Sequence, residues 1–182
     1  METFAEAREL VDDPGFTAER ERVLASLELD DIDAPLRRII RGFAALPCCF
    51  TLQCCYGHFV HAAQPLPDNL EPLPPGGAGS VRYRIAYVAL GIENSADGRR
   101  LHAALSELPA IDPAYLQFGS PDWFVLQHPN SYALQVEPLR FAEQDEAVLP
   151  YREALHVQQI RDRFFARLEE LVAARLAELR AG

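Results

Sequence analysis

The chain has 182 residues, 49% of them hydrophobic and 24% charged, a size and balance that bury a core without disulfide or metal staples. Its formal charge of −10 at pH 7 disfavours a nucleic-acid partner, because phosphate contacts draw on clustered cations. All 17 basic residues are arginine, which excludes lysine-dependent devices such as Schiff bases and the phosphate-loop lysine.

In chain order, Thr3 to Val11 reads as a first helix, stopped by "DDPG". Thr17 caps a second, "TAERERVLASLEL". Asp33 caps a third, with Pro35 in its first turn and Leu36, Ile39, Ile40 and Phe43 as its apolar stripe. The opening residues lack the apolar centre of a signal peptide, and no run reaches the ~18 apolar residues of a membrane span. A cytoplasmic location is expected, where thiols stay reduced.

"CCFTLQCCYGHFVH", residues 48–61, reads as a strand apolar on both faces and therefore central in its sheet. Residues 62–80 form a Pro/Gly-rich loop, expected to be a lid or a disordered excursion. "SVRYRIAYVALGIE" reads as one further strand. It is followed by a helix capped by Asn94 or Ser95, then a short strand in "PAYLQFGSP". "DWFVLQHPNSYALQVEPL" reads as a hairpin turning at "HPNS". Residues 146–180 read as one long helix with Leu155, Ile160, Phe164, Leu168, Leu171 and Leu176 facing inward.

The order implies one α+β (mixed α/β) domain over 1–182: N-terminal helices within 3–46, an αβ core at 48–140 with a mainly mixed or antiparallel sheet, and the terminal helix covering it. No G-x-G-x-x-G, Walker A or G-x-S-x-G motif occurs. His102 and His128 read as surface residues, His156 as partly buried, Trp123 as core, and Arg82 and Arg84 as the solvent side of a strand.

All four cysteines and two of the five histidines fall in the 48–61 segment. On a regular strand Cys48 and Cys54 share one face and Cys49 and Cys55 the other, with ~20 Å between Cys48 and Cys54. One four-thiol metal site is thereby excluded. Only a bend at Gly57 gathers Cys54, Cys55, His58 and His61 as a metal-ligand set. Absence of C-x-x-C disfavours dithiol redox chemistry. Cys48 and Cys49 read as small core residues.

"FTLQCCYGHF" resembles the T-T-S-S-C-x-G-R strand of the tRNA wybutosine-synthesizing protein 3 family, S-adenosylmethionine-dependent methyltransferases acting on a hypermodified guanosine of tRNA. Phe50, Thr51, Cys55 and Gly57 coincide with that pattern. Leu52, Gln53 and Cys54 stand where Thr, Ser and Ser would, and His58 where Arg would. "VRYRIAYVALGIENSADGRRLHAALSEL", "YALQVEPL" and "QQIRDRFFARLEEL" resemble later elements in the same order, over roughly 34–176. A Pro/Gly loop replaces the family's W-L-x-V-x-H strand.

The resemblance implies a small-molecule pocket at the end of the motif strand. Cys55 and His58 would be its catalytic residues, and Thr51, Gln53 and Gly57 would hold S-adenosylmethionine. Two other expectations stand beside it: non-enzymatic metal binding by Cys54, Cys55, His58 and His61, and a structural module whose long helix pairs with a partner or a second copy.

Overall fold

The structure, a computed structural model, describes residues 6–141 and 145–181. Its seven strands are β1 (Cys49–Cys55), β2 (His58–Val60), β3 (Ser80–Arg84), β4 (Ala86–Ile92), β5 (Leu116–Gly119), β6 (Ser131–Val136) and β7 (Glu146–Pro150). Its helices are α1 (Phe16–Ala25), α2 (Arg37–Ala45), α3 (Ala96–Ser106), the short α4 (Asp122–Val125) and α5 (Tyr151–Ala181).

The strands divide between two antiparallel sheets, one in the order β1-β4-β6-β5 and one in the order β2-β3-β7. The fold class is α+β, as expected. No helix among the described residues is long and apolar enough to cross a membrane.

The helices form where the apolar stripes require. Ile39, Ile40 and Phe43 of α2 are buried against the sheet. The 31-residue α5 buries Ala154, Val157, Ile160, Phe164, Leu168 and Val172, at helical spacing. It packs on α2 and on β3, β6 and β7, so one helix spans both sheets. The Ser95 hydroxyl caps α3 by accepting from the Gly98 amide at 3.1 Å.

Several expectations are corrected. Of the helix expected at 3–11, residues 3–5 lie outside the described residues. The rest is irregular and hangs on the sheet: Arg8 N–H donates to Ser120 Oγ, and Val11 exchanges two hydrogen bonds with Asn130. The second helix begins at Phe16 with Gly15, not Thr17, at its cap. The Asp33 side chain caps no helix.

The 48–61 segment is two strands in two sheets, and β1 is an edge strand, covered by α2 and α1 rather than flanked by strands. "SVRYRIAYVALGIE" also splits, at Ile85, into β3 and β4. The break is held by Tyr83, whose hydroxyl accepts from the Ala86 amide at 2.9 Å and donates to the Val136 carbonyl at 2.8 Å. The hairpin is β5–β6, with α4 in its connection. Residues 146–150 are not helical but pair with β3.

The 62–80 loop is strapped down to α5, where the Tyr151 amide donates to the Gly79 carbonyl at 2.9 Å. Leu73 is buried, its amide donates to Gln158 Oε1 of α5 at 2.6 Å, and the Tyr151 hydroxyl donates to the Pro74 carbonyl at 2.8 Å.

Candidate functional site

The bend between β1 and β2 gathers three side chains able to carry chemistry, Asp33, Cys55 and His58. Gly57 adopts φ +88°, a conformation that glycine accepts without a Cβ penalty. Its α-carbon faces Ala86 and Tyr83: an added Cβ would meet the Ala86 Cβ at 2.8 Å and the Tyr83 ring at 3.1 Å. The chain bends here without reversing, the antiparallel register running on from Cys55 opposite Tyr87 to His58 opposite Arg84, and one donor atom of Cys55 and one of His58, three positions apart, come within 4.8 Å of each other. Both are buried, with 5% and 3% of their surface exposed. The Gly57 amide points at the Cys55 sulfur, 3.4 Å away.

A third group arrives from the start of the α2 region. Asp33 Oδ2 accepts from the Tyr56 amide at 2.7 Å and lies 3.3 Å from His58 Nε2. One donor atom from each of Asp33, Cys55 and His58 falls within 4.8 Å of the other two. The Asp33 hydrogen bond, with that of Cys55 next, pushes the His58 imidazole up to about 10; the imidazole in turn holds the Asp33 carboxyl below its ordinary value. The other imidazole nitrogen, Nδ1, is buried without a hydrogen-bond partner among the described residues.

The turn is clamped from behind by α5. Arg161, 3% exposed, donates to the Gly57 carbonyl at 3.0 Å. Its guanidinium lies 4.2 Å from the centre of the Tyr56 ring and 5.1 Å from that of Phe59. Tyr56 also stacks on Phe165 at 5.2 Å and donates to Asp162 at 3.1 Å.

The other residues singled out by sequence do not join this cluster. A β-bulge between Thr51 and Gln53 interrupts the alternation of β1. Cys49, Thr51 and Cys54 consequently stand opposite Ile92, Leu90 and Val88 of the main core, whereas Gln53 stands opposite Ala89 on the other face. The expected pairing of Cys49 with Cys55 on one face is thereby overturned.

Burial pushes the Cys54 thiol up to about 12. Gln53 is exposed and accepts from the Tyr87 hydroxyl at 3.2 Å. Thr51 Oγ1 is buried and unpartnered. His61 is taken up by Gln64, 3.1 Å away, and by the edge of the Tyr151 ring. Cys54 and His61 are therefore outside the Asp33–Cys55–His58 group.

Cys48 and Cys49 are core residues, as expected. Cys48 also borders a cleft of about 250 Å³ lined by Leu46, Leu101, Arg100, Arg175 and Glu178. None of Thr51, Gln53, Cys55, Gly57 and His58 lines that cleft.

Of the remaining candidates, His102 is not surface decoration. It lies edge-on to Tyr132 at 4.5 Å and to Phe118 at 5.2 Å, and burial lowers its basicity. His128 packs edge-on against Phe50 at 5.6 Å. Trp123 is 57% exposed rather than core.

The sequence reading missed two titratable groups, Asp33 in the cluster and Glu137 outside it. Asp33 read as a helix cap, and Glu137 was one letter of a strand pattern. Glu137 is fully buried just beyond β6. Burial pushes its carboxyl up to about 8, and its Oε2 has no partner. Its backbone carbonyl accepts from Gln117, and its Oε1 from the Gln135 amide.

Neither a protein-family model nor a curated protein matches the chain. The fold is shared. The PH1069 protein from Pyrococcus horikoshii superposes with a TM-score of 0.51 at 11% identity, over 88% of this chain and 96% of that one. A second structure, of the PH1069 protein from Pyrococcus horikoshii OT3, gives a TM-score of 0.45 at 11% identity, over 93% of this chain and 95% of that one. At such identity the first likeness shows the fold alone.

Proposed function

We propose that this protein is an enzyme of small-group transfer, with Asp33, Cys55 and His58 as its working residues. The observation that carries the reading is their convergence at the Gly57 turn, where an imidazole lies between a carboxylate and a thiol. A carboxylate fixes the orientation of a histidine, which then takes or gives a proton, while an adjacent thiol orients or receives the moving group. The position of Cys55 at the end of β1, with His58 opening β2, is consistent with the resemblance of "FTLQCCYGHF" to the methyltransferase motif. Methyl is accordingly the group proposed, and S-adenosylmethionine its donor.

The donor's own residues fit less well than the acid–base pair. Thr51 and Gln53 lie on opposite sides of the bulge, and the α-carbon of Gly57 is packed against Ala86 and Tyr83. Calorimetric titration with S-adenosylmethionine tests the methyl version: saturable binding that weakens in His58→Ala supports it, and no heat at millimolar donor overturns it. In Cys55→Ser and His58→Ala, loss of stability with all ligand binding intact would mark the cluster as a structural clip instead.

A further inference from the structure

We infer that Asp33, Cys55 and His58 form a binding site for one divalent transition-metal ion of the zinc type, with a fourth position left open to water or substrate. The inference rests on the same three side chains as the group-transfer reading, gives them the role of ligands when the ion is bound, and does not depend on the methyl donor.

The donor set is the first argument. A carboxylate oxygen, a thiol sulfur and an imidazole nitrogen lie mutually within 4.8 Å. Ligands around tetrahedral zinc sit ~2.0–2.3 Å from the ion, which places them ~3.3–3.8 Å from one another. The His58–Asp33 separation of 3.3 Å already matches that edge. The sulfur needs at most a movement of about 1 Å, within reach of a χ1 adjustment.

The second argument is the turn. Cys55 and His58 are spaced C-x2-H across the bend at a glycine with positive φ, and a two-residue spacing is the usual one for ligands near in sequence to reach one ion. The surroundings supply a third. Asp33 is pre-oriented by the Tyr56 amide, as metal-binding carboxylates commonly are. His58, 3% exposed, presents Nε2 beside the Asp33 carboxylate, 3.3 Å away, as its ligand atom.

Charge also closes. One carboxylate and one thiolate neutralise a divalent ion. Of the nearby cations, Arg161 directs its donors to Gly57 and Asp162, and Arg84 sits on the solvent side of β3. A mixed S/N/O set favours zinc over magnesium or calcium, and three protein ligands leave the vacancy typical of catalytic rather than structural zinc.

The test is titration of chelator-stripped, untagged protein with cobalt(II), followed by zinc competition. The expected result is one equivalent bound, with a thiolate-to-cobalt charge-transfer band. That band vanishes in Cys55→Ser, persists in Cys54→Ser and His61→Ala, and needs on the order of tenfold more cobalt or beyond in Asp33→Asn. No band with wild-type protein in excess cobalt overturns the site, as does a band that survives Cys55→Ser or disappears in Cys54→Ser. Should Cys55→Ser fail to fold, Asp33→Asn decides, and unchanged affinity there overturns the site equally. Because cobalt is read without any methyl donor, failure here leaves the group-transfer reading standing, and a failed donor titration leaves the metal site standing.

Discussion

Arg161, in the middle of the terminal helix, donates to the carbonyl of Gly57, a residue 104 positions earlier, at 3.0 Å. The bond does more than join α5 to the sheets. It holds one of the three peptide units that set how Cys55 and His58 face each other. The guanidinium is sandwiched among Tyr56, Phe59 and Asp162, so its charge is compensated although it is buried.

Arg161→Met is expected to cost about 3 kcal/mol, because it strands a buried carbonyl and removes the stacked cation. Arg161→Lys recovers only part of this, lacking the planar fork. Urea denaturation of the three proteins checks the order wild type, then Lys, then Met. Equal midpoints for all three would show that the clamp contributes nothing.

Gly57→Ala is expected to cost about 2–4 kcal/mol, combining the positive-φ penalty with overpacking against Ala86 and Tyr83. The loss is read from the denaturation midpoint. The same variant should also displace Cys55 from His58, so metal affinity and stability fall together.

Tyr83→Phe leaves the Ala86 amide and the Val136 carbonyl without the hydroxyl that serves both. In this fully buried position the expected loss is about 2 kcal/mol. Tyr83 belongs to one sheet and its two partners to the other, so the amides of β4 near Ala86 should lose hydrogen-exchange protection before those of β5. Uniform loss across the sheet would contradict this.

Glu137 gives the pH dependence. Its folded-state carboxyl is raised to about 8 by burial, so its neutral form is the one the fold favours. A group raised in this way contributes its full stability below the ordinary carboxylate range. That contribution is lost as pH rises from there through about 8. Glu137→Gln should flatten this part of the stability curve and leave the variant the more stable protein at pH 9, by on the order of a few kcal/mol. Melting temperatures of both proteins between pH 5 and pH 9 check it, and parallel curves would contradict it.

Much of the fold was legible because its signals are local. Ser95 before a helix-forming run caps α3, and the Ile160, Phe164 and Leu168 spacing marks the buried stripe of α5. Cys55 and His58 were legible as a pair because only a glycine bend between them could make them neighbours. Asp33 was not. An aspartate before Ala-Pro carries the local signature of a helix cap, whereas its real partner is the Tyr56 amide, 23 positions away.

The division into two sheets was hidden in the same way. The apolar alternation of residues 80–92 continues through Ile85, and nothing in it announces that a tyrosine hydroxyl will break the ladder. "EAVLP" carries helix-forming residues, yet pairing with β3 makes it a strand. The bulge at Leu52 moved the cysteine faces because one extra residue reverses every later side chain.

The Arg161 clamp also orders events in time. On the ribosome, β1, the Gly57 turn and β2 emerge about a hundred residues before the guanidinium that fixes them. Until α5 is synthesised and docked, the thiol and imidazole belong to an unclamped turn on an edge strand. The turn is thus fixed only once a contact across 104 positions has formed.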